Sequence, residues 1–240
     1  TIVITLFCSN FLGDFQVRWL RVTGKYVPTK ALRGEDVTIP CLLSGVPIPL
    51  NLEKLSVVWT LRLQNGTERE VYGFRSSHHT PLRPGSHMYD KDLQQGNASL
   101  SIPNIQITDE GNYRCFVIFT PDSGSATSTL QVSVKPQMAL SHDQQIEDGI
   151  TGSVRCEVSN FYPEAVKIRW VKSSKSNSRN SPWDKDVCFT TPLGNSDGTF
   201  NETSVLTVEP TTDAEPGDVL FCIVSHRSLE EEMTLNVTMT

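Results

Sequence analysis

The sequence lacks the motifs on which catalysis and metal binding ordinarily rest. It has no C-x-x-C and no Cys/His cluster at ligand spacing, which argues against a zinc site. No nucleophile elbow ties its Ser, His and Asp residues together, and no Gly-rich phosphate loop follows a strand pattern. Blocks of like charge are missing too: 21 Lys and Arg are interspersed with 27 Asp and Glu, for a net charge of -6, so there is no basic footprint for nucleic acid. No long helix-period pattern survives, and the apolar run at the start is too short to span a membrane. Enzymatic activity, catalytic residues, a cofactor, a metal and a nucleic-acid partner are therefore not expected.

What is present is a chain of 240 residues, enough for one large or two ordinary domains, with Gly and Pro spread evenly and apolar residues alternating in short runs. That pattern predicts an all-β protein. Residues 37–41, 55–61, 70–74, 98–102 and 127–134 read as strands, and Asn65-Gly66 supplies a hairpin turn before the third of them. An earlier strand is expected at 25–28. Lys135-Pro136 interrupts the pattern, after which strands recur at 154–158, 166–170, 204–208 and 219–226. Six cysteines and four N-x-S/T sequons, at Asn65, Asn97, Asn201 and Asn236, point to an oxidising secretory compartment and to glycosylation at those asparagines. Residues 1–13, which contain Cys8, read as the tail of a signal peptide, the alternative being an extra strand of the first domain.

The stretch Asp109-Glu110-Gly111-Asn112-Tyr113-Arg114-Cys115 carries the family resemblance, with Cys41 and Trp59 upstream of it. A second Cys-Trp-Cys cycle, Cys156, Trp170 and Cys222, contains Asn160-Phe161-Tyr162-Pro163-Glu164-Ala165 and Cys222-Ile223-Val224-Ser225-His226. The two cycles resemble a variable-type and then a constant-type immunoglobulin domain, an order similar to that of butyrophilin-like co-stimulatory ligands and of ligands for natural cytotoxicity triggering receptors. Tapasin-like chaperones of histocompatibility molecules share the layout as a second choice. The resemblance implies two tandem immunoglobulin-like β-sandwiches over 14–134 and 135–240, with bridges Cys41–Cys115 and Cys156–Cys222. It further implies a corner hydrogen bond from Tyr113, a surface location with a membrane anchor beyond residue 240, and a partner that is itself an immunoglobulin-type receptor of natural-killer or T-cell kind. The endoplasmic reticulum lumen is the chaperone alternative. The corner tyrosine is replaced by Leu220 in the second domain, which is expected to lack the added C′ and C″ strands.

Strict alternation on strand F turns Arg114, Phe116 and Ile118 outward when Tyr113, Cys115 and Val117 point in. On the same sheet Val58, Thr60 and Arg62 are expected from strand C, and Tyr72 or Phe74 from strand C′. The expected contact face is an apolar patch ringed by Arg and Glu, extended by an F–G loop over 119–125 that contributes Pro121 and Asp122. Pairing of this sheet with a second copy, giving a homodimer, is the competing use. His78, His79 and His87 fall in a region read as polar loop. Cys188 is the odd thiol, either cross-linking two chains or buried or capped.

Overall fold

The computed structural model describes residues 19–143, 150–175, 180–209 and 214–239. The expected leader at 1–13, with Cys8, lies outside the described residues. The described chain forms two β-sandwiches in tandem. The first contains β1 (Arg21–Thr23), β2 (Thr29–Leu32), β3 (Val37–Ile39), β4 (Leu42–Ser44), β5 (Leu55–Arg62), β6 (Glu68–Arg75), β7 (His78–Pro81), a short helix α1 (Asp90–Gln94), β8 (Leu100–Ile102), β9 (Gly111–Phe119) and β10 (Asp122–Ser133). One sheet has the order β2-β10-β9-β5-β6-β7; β3-β8 and β1-β4 face it. In immunoglobulin lettering β5, β6, β9 and β10 are strands C, C′, F and G.

Alternation writes the core of this sandwich. Along β5, Leu55, Val57, Trp59 and Leu61 are buried while the residues between them are not. Tyr113, Cys115 and Val117 do the same on β9. Cys41 is bonded to Cys115, and Trp59 lies buried in the same core, its indole N–H donating to the Ala98 carbonyl at 3.1 Å. An intersheet bridge of this kind is worth about 2–5 kcal/mol. The Tyr113 hydroxyl donates to the Asp109 carbonyl at 2.9 Å, closing the corner before β9. The Asp109 carboxylate, 2% exposed, accepts from Arg83 Nη2 at 2.8 Å and from the Gln106 amide at 2.9 Å. Gly111 sits where a side chain would strike the Arg62 carbonyl, so the start of β9 approaches β5 more closely than any other residue allows.

The second sandwich contains β11 (Gln137–His142), β12 (Gly152–Phe161), β13 (Val166–Ser173), β14 (Asn180–Trp183), β15 (Val187–Phe189), β16 (Leu193–Gly194), β17 (Phe200–Val208), β18 (Val219–His226) and β19 (Met233–Thr238). Its sheets are β11-β12-β17-β15 and β14-β13-β18-β19, joined by Cys156–Cys222. The Trp170 indole donates to Ser204 Oγ at 2.8 Å. Leu220 is buried, and the corner is held instead by Asp218, whose carboxylate accepts from the Lys175 amide at 3.0 Å, the Glu215 amide at 3.1 Å and Lys172 Nζ at 3.1 Å. Burial pushes the Asp218 carboxyl up, but these donors together outweigh it and hold the group below the usual carboxylate range.

Three expectations need correction here. The early strands are at Arg21–Thr23 and Thr29–Leu32 and not at 25–28, where Tyr26 stands fully in solvent because no neighbouring strand pairs with this stretch. His78 and His79 lie in β7, paired with β6, not in a loop. The second sandwich does carry a short C′-like strand, β14, which pairs with β13 from Trp170↔Trp183 to Ser173↔Asn180.

The sandwiches meet through a polar joint. Val134 and Tyr162 exchange backbone hydrogen bonds at 2.9 and 3.2 Å. From the end of β18, Arg227 donates to the Val132 carbonyl, to Ser133 Oγ at 3.1 Å and to the buried Glu110 carboxylate at 3.4 Å, and its guanidinium lies 5.8 Å from the centre of the Tyr162 ring. Arg33 pairs with Asp197 at 2.8 Å on the other side. Hydrogen bonds from Thr199 and then Arg33 hold the Asp197 carboxyl down to about 2.

Candidate binding face of the first domain

The outward residues of β6, β5, β9 and β10 line up in rows fixed by the pairing. One row is Gly73, Val58, Phe116 and Ser125; the next towards the second domain is Glu70, Thr60, Arg114 and Thr127. Ser56, Ile118 and Ser123 make a third row towards the F–G end. Phe116 and Ile118 thus rise among glycine and serines, and Ile118 is 39% exposed. Arg114 lies 5.7 Å from the centre of the Phe116 ring, a distance at which guanidinium and ring attract. Val58, Thr60, Glu68, Arg114 and Phe116 enclose a shallow depression of about 290 Å³. The resulting surface has an aromatic anchor, a small well beside it and unlike charges at its margin, which is the make-up of a protein-contact face.

Tyr72 and Phe74 do not belong to this face. Opposite the Trp59–Thr60 step the register of β6 shifts, pairing Trp59 with Tyr72 but Thr60 with Glu70, so that Val71 is the extra residue of a bulge. Glu70 points out, and after the bulge Tyr72 and Phe74 point in beside Trp59 and Val57, both buried. The Tyr72 hydroxyl meets His79 Nδ1 at 2.7 Å, and His79 Nε2 faces Asp90 Oδ1 at 2.8 Å. Their place on the outside is taken by Gly73, over which Glu70 and Arg75 close a two-pronged ion pair at 2.9 and 3.0 Å. This pair was not foreseen; a glycine within a strand pattern was the available signal.

The F–G connection is also shorter than expected. Phe119 pairs with Asp122, leaving Thr120-Pro121 as a two-residue turn, because the stretch 122–126 continues the ladder against β9. Pro121 is exposed at the tip and Asp122 is half-buried. The sequons differ in setting. Asn65 is exposed in the β5–β6 turn, Asn97 is half-buried beside Leu42, and Asn236 is exposed on β19. Asn201 is held by a reciprocal amide pair with Asn195, at 3.0 and 2.9 Å, while its Oδ1 also accepts from the Asn160 amide at 2.9 Å. Cys188 is a free thiol and exposed, not buried. Among the described residues no group of three or more His, Cys, Asp or Glu is placed to hold a metal, and no helix is long and apolar enough to cross a membrane.

Comparison with known proteins gives the following. The Immunoglobulin V-set domain family matches residues 24–135 and the Immunoglobulin C1-set domain family residues 137–229. The chain is 32% identical to human Natural cytotoxicity triggering receptor 3 ligand 1, over 100% of this chain and 52% of that protein. It is 25% identical to mouse Tapasin-related protein, over 90% of this chain and 46% of that one, and 27% identical to a Xenopus laevis CD276 antigen homolog, over 89% and 67%. The first curated relatives are thus spanned over about half their length. Among solved structures, bovine butyrophilin superposes with a TM-score of 0.71 at 19% identity, covering 92% of this chain and 99% of that one, which speaks to the fold.

Proposed function

The chain belongs to the immunoglobulin superfamily, as a V-set domain followed by a C1-set domain, and from that premise we propose that it is the receptor-binding part of an immune cell-surface ligand. Its partner is an immunoglobulin-type receptor of natural-killer or T-cell kind, met through the outer face of β6, β5, β9 and β10. The observation that carries this reading is the outward row of Val58 and Phe116 with Ile118 beside it, apolar side chains for which the sandwich core has no use. The contact set is Val58, Phe116 and Ile118, with Pro121 and Asp122 at its far end. The similarity to a natural cytotoxicity triggering receptor ligand favours a receptor of the natural-killer class. The protein acts at the extracellular side of the plasma membrane, and Asn97 carries its glycan on the opposite sheet.

Phe116→Asp and Ile118→Asp are expected to abolish binding in a surface-plasmon-resonance panel of natural-killer and T-cell immunoglobulin-type receptors while leaving the melting temperature unchanged. Tyr72→Phe is expected to leave binding intact, since that ring is buried. Unchanged binding by both aspartate variants would remove the face from consideration. The similarity to Tapasin-related protein supports a second reading, a chaperone contact with histocompatibility heavy chains through the second domain inside the endoplasmic reticulum. Heavy-chain capture that persists in Phe116→Asp would favour that reading. A dimer by light scattering that Phe116→Asp dissolves would assign the face to self-pairing.

A further inference from the structure

The joint between the domains has a notch on the side of the β5–β6 turn. Leu63, Gln64 and Asn65 from that turn, Ile107 and Glu110 from the segment before β9, and Tyr162 from the second sandwich enclose about 230 Å³. Its walls are apolar at Leu63, Ile107 and the Tyr162 ring, and its polar groups are the Gln64 and Asn65 amides, the Tyr162 hydroxyl and the Glu110 carboxylate, which accepts from Gln64 Nε2 at 3.4 Å and is also held by Arg227 and the Val132 amide. Burial, and then the neighbouring Glu110, push the Tyr162 hydroxyl up to about 12, so it stays a neutral donor. The notch falls below the range of about 300–1,000 Å³ usual for drug-sized ligands, but it is of the scale of one sugar ring.

Asn65 stands on its rim and opens the sequon Asn65-Gly66-Thr67. The Asn65 Oδ1 accepts from the Thr67 amide at 2.9 Å, which fixes the side chain and leaves Nδ2, the atom that carries a glycan, as its free end. Asn201 is in the opposite condition, with both ends of its amide engaged by the Asn195 pair.

We infer that Asn65 carries an N-linked glycan whose first N-acetylglucosamine lodges in this notch and braces the two domains against one another. A pyranose has a face of C–H bonds and a rim of hydroxyls. The first suits Leu63, Ile107 and the Tyr162 ring; the second suits the exposed Gln64 amide. No partner molecule has to be supplied, because the sugar is tethered to the wall it fills, and the sequon places it at high effective concentration. The Asn65 glycan is thereby a structural part of the joint and lies at the edge of the proposed receptor face instead of across it.

The test uses the whole chain secreted from glycosylating cells. Peptide mapping is expected to find Asn65 occupied. Trimming to a single N-acetylglucosamine is expected to preserve slow amide exchange around 161–164 and 107–110, and Thr67→Ala, which abolishes the sequon, to speed exchange in both segments severalfold. Thr67→Ser, which keeps the sequon, restores the slow exchange. Wild type and Thr67→Ala made without glycan must exchange alike, which separates loss of the sugar from loss of the threonine. An unoccupied Asn65, exchange indifferent to removal of the glycan, or a difference between the two unglycosylated proteins would each overturn the inference.

Discussion

The two sandwiches share a plan and finish it with different chemistry. In the first, the corner before strand F is closed by the Tyr113 hydroxyl and by Asp109 against Arg83, and the core indole donates to a main-chain carbonyl. In the second, leucine fills the tyrosine position, Asp218 gathers two amides and Lys172, and the core indole depends on a side-chain hydroxyl, Ser204. The inward apolar positions and the disulfide are common to both because they alone define a two-sheet core. The corner requires only that buried polar groups find partners, and several residue sets satisfy that. The two sandwiches therefore agree in their period and differ in their polar fastenings, and each fastening is a separate point of weakness.

The comparison can be sharpened by removing these fastenings one at a time and following two calorimetric transitions. The largest effect is expected from Asp109→Ala, which leaves Arg83, whose side chain is 12% exposed, without its buried partner. The first-domain transition should lose about 3–5 kcal/mol. Asp218→Ala should cost the second domain less, since Lys172 is 24% exposed and reaches water more readily. Equal losses would mean that the two corners are energetically the same. Next comes Ser204→Ala, which strands the Trp170 indole N–H in the core and should cost the second domain about 1–3 kcal/mol. No side-chain substitution can do the same to Trp59, whose acceptor is backbone.

The smallest effect concerns pH. Burial, opposed by the hydrogen bond to the Pro163 carbonyl, holds the His226 imidazole below its ordinary value of 6.5. The unfolded chain then takes up the proton first as pH falls. The His226 contribution to second-domain stability is complete above pH 6.5 and is lost as pH drops below it, by at most about 1.4 kcal/mol per pH unit. Melting between pH 7.5 and 5 should show the second transition falling in wild type and less so in His226→Gln. An identical pH slope in the variant would place the sensitivity elsewhere.

Much of this was legible in the residues. Val57, Trp59, Tyr113, Cys115 and Val117 declare their inward side by alternation, and Phe116 and Ile118 follow as outward by the same rule. Alternation gives the outward side chains of β5 and β9, which run without irregularity, and fails on β6. There a run of apolar residues, Val71, Tyr72 and Phe74, gave no clue to which one was the insertion. The F–G connection looked like a loop because its composition, with proline, serines and glycine, is that of a turn. In the fold it is mostly ladder, held by its pairing with β9. The joint was not visible at all: Arg227 reaches Glu110, and Arg33 reaches Asp197, across separations of 117 and 164 residues, beyond the range of any local pattern.

By itself the sequence determined the two cores, since a period of two and paired cysteines leave the chain few ways to bury its apolar residues. Only the tertiary structure decided which outward side chains share one surface. That choice depends on the register between neighbouring strands, and a single extra residue in one strand moves every side chain beyond it to the other face. The same holds for the joint, where Tyr162, Glu110 and Asn65 acquire a common environment only because two independently closed sandwiches come to rest against each other.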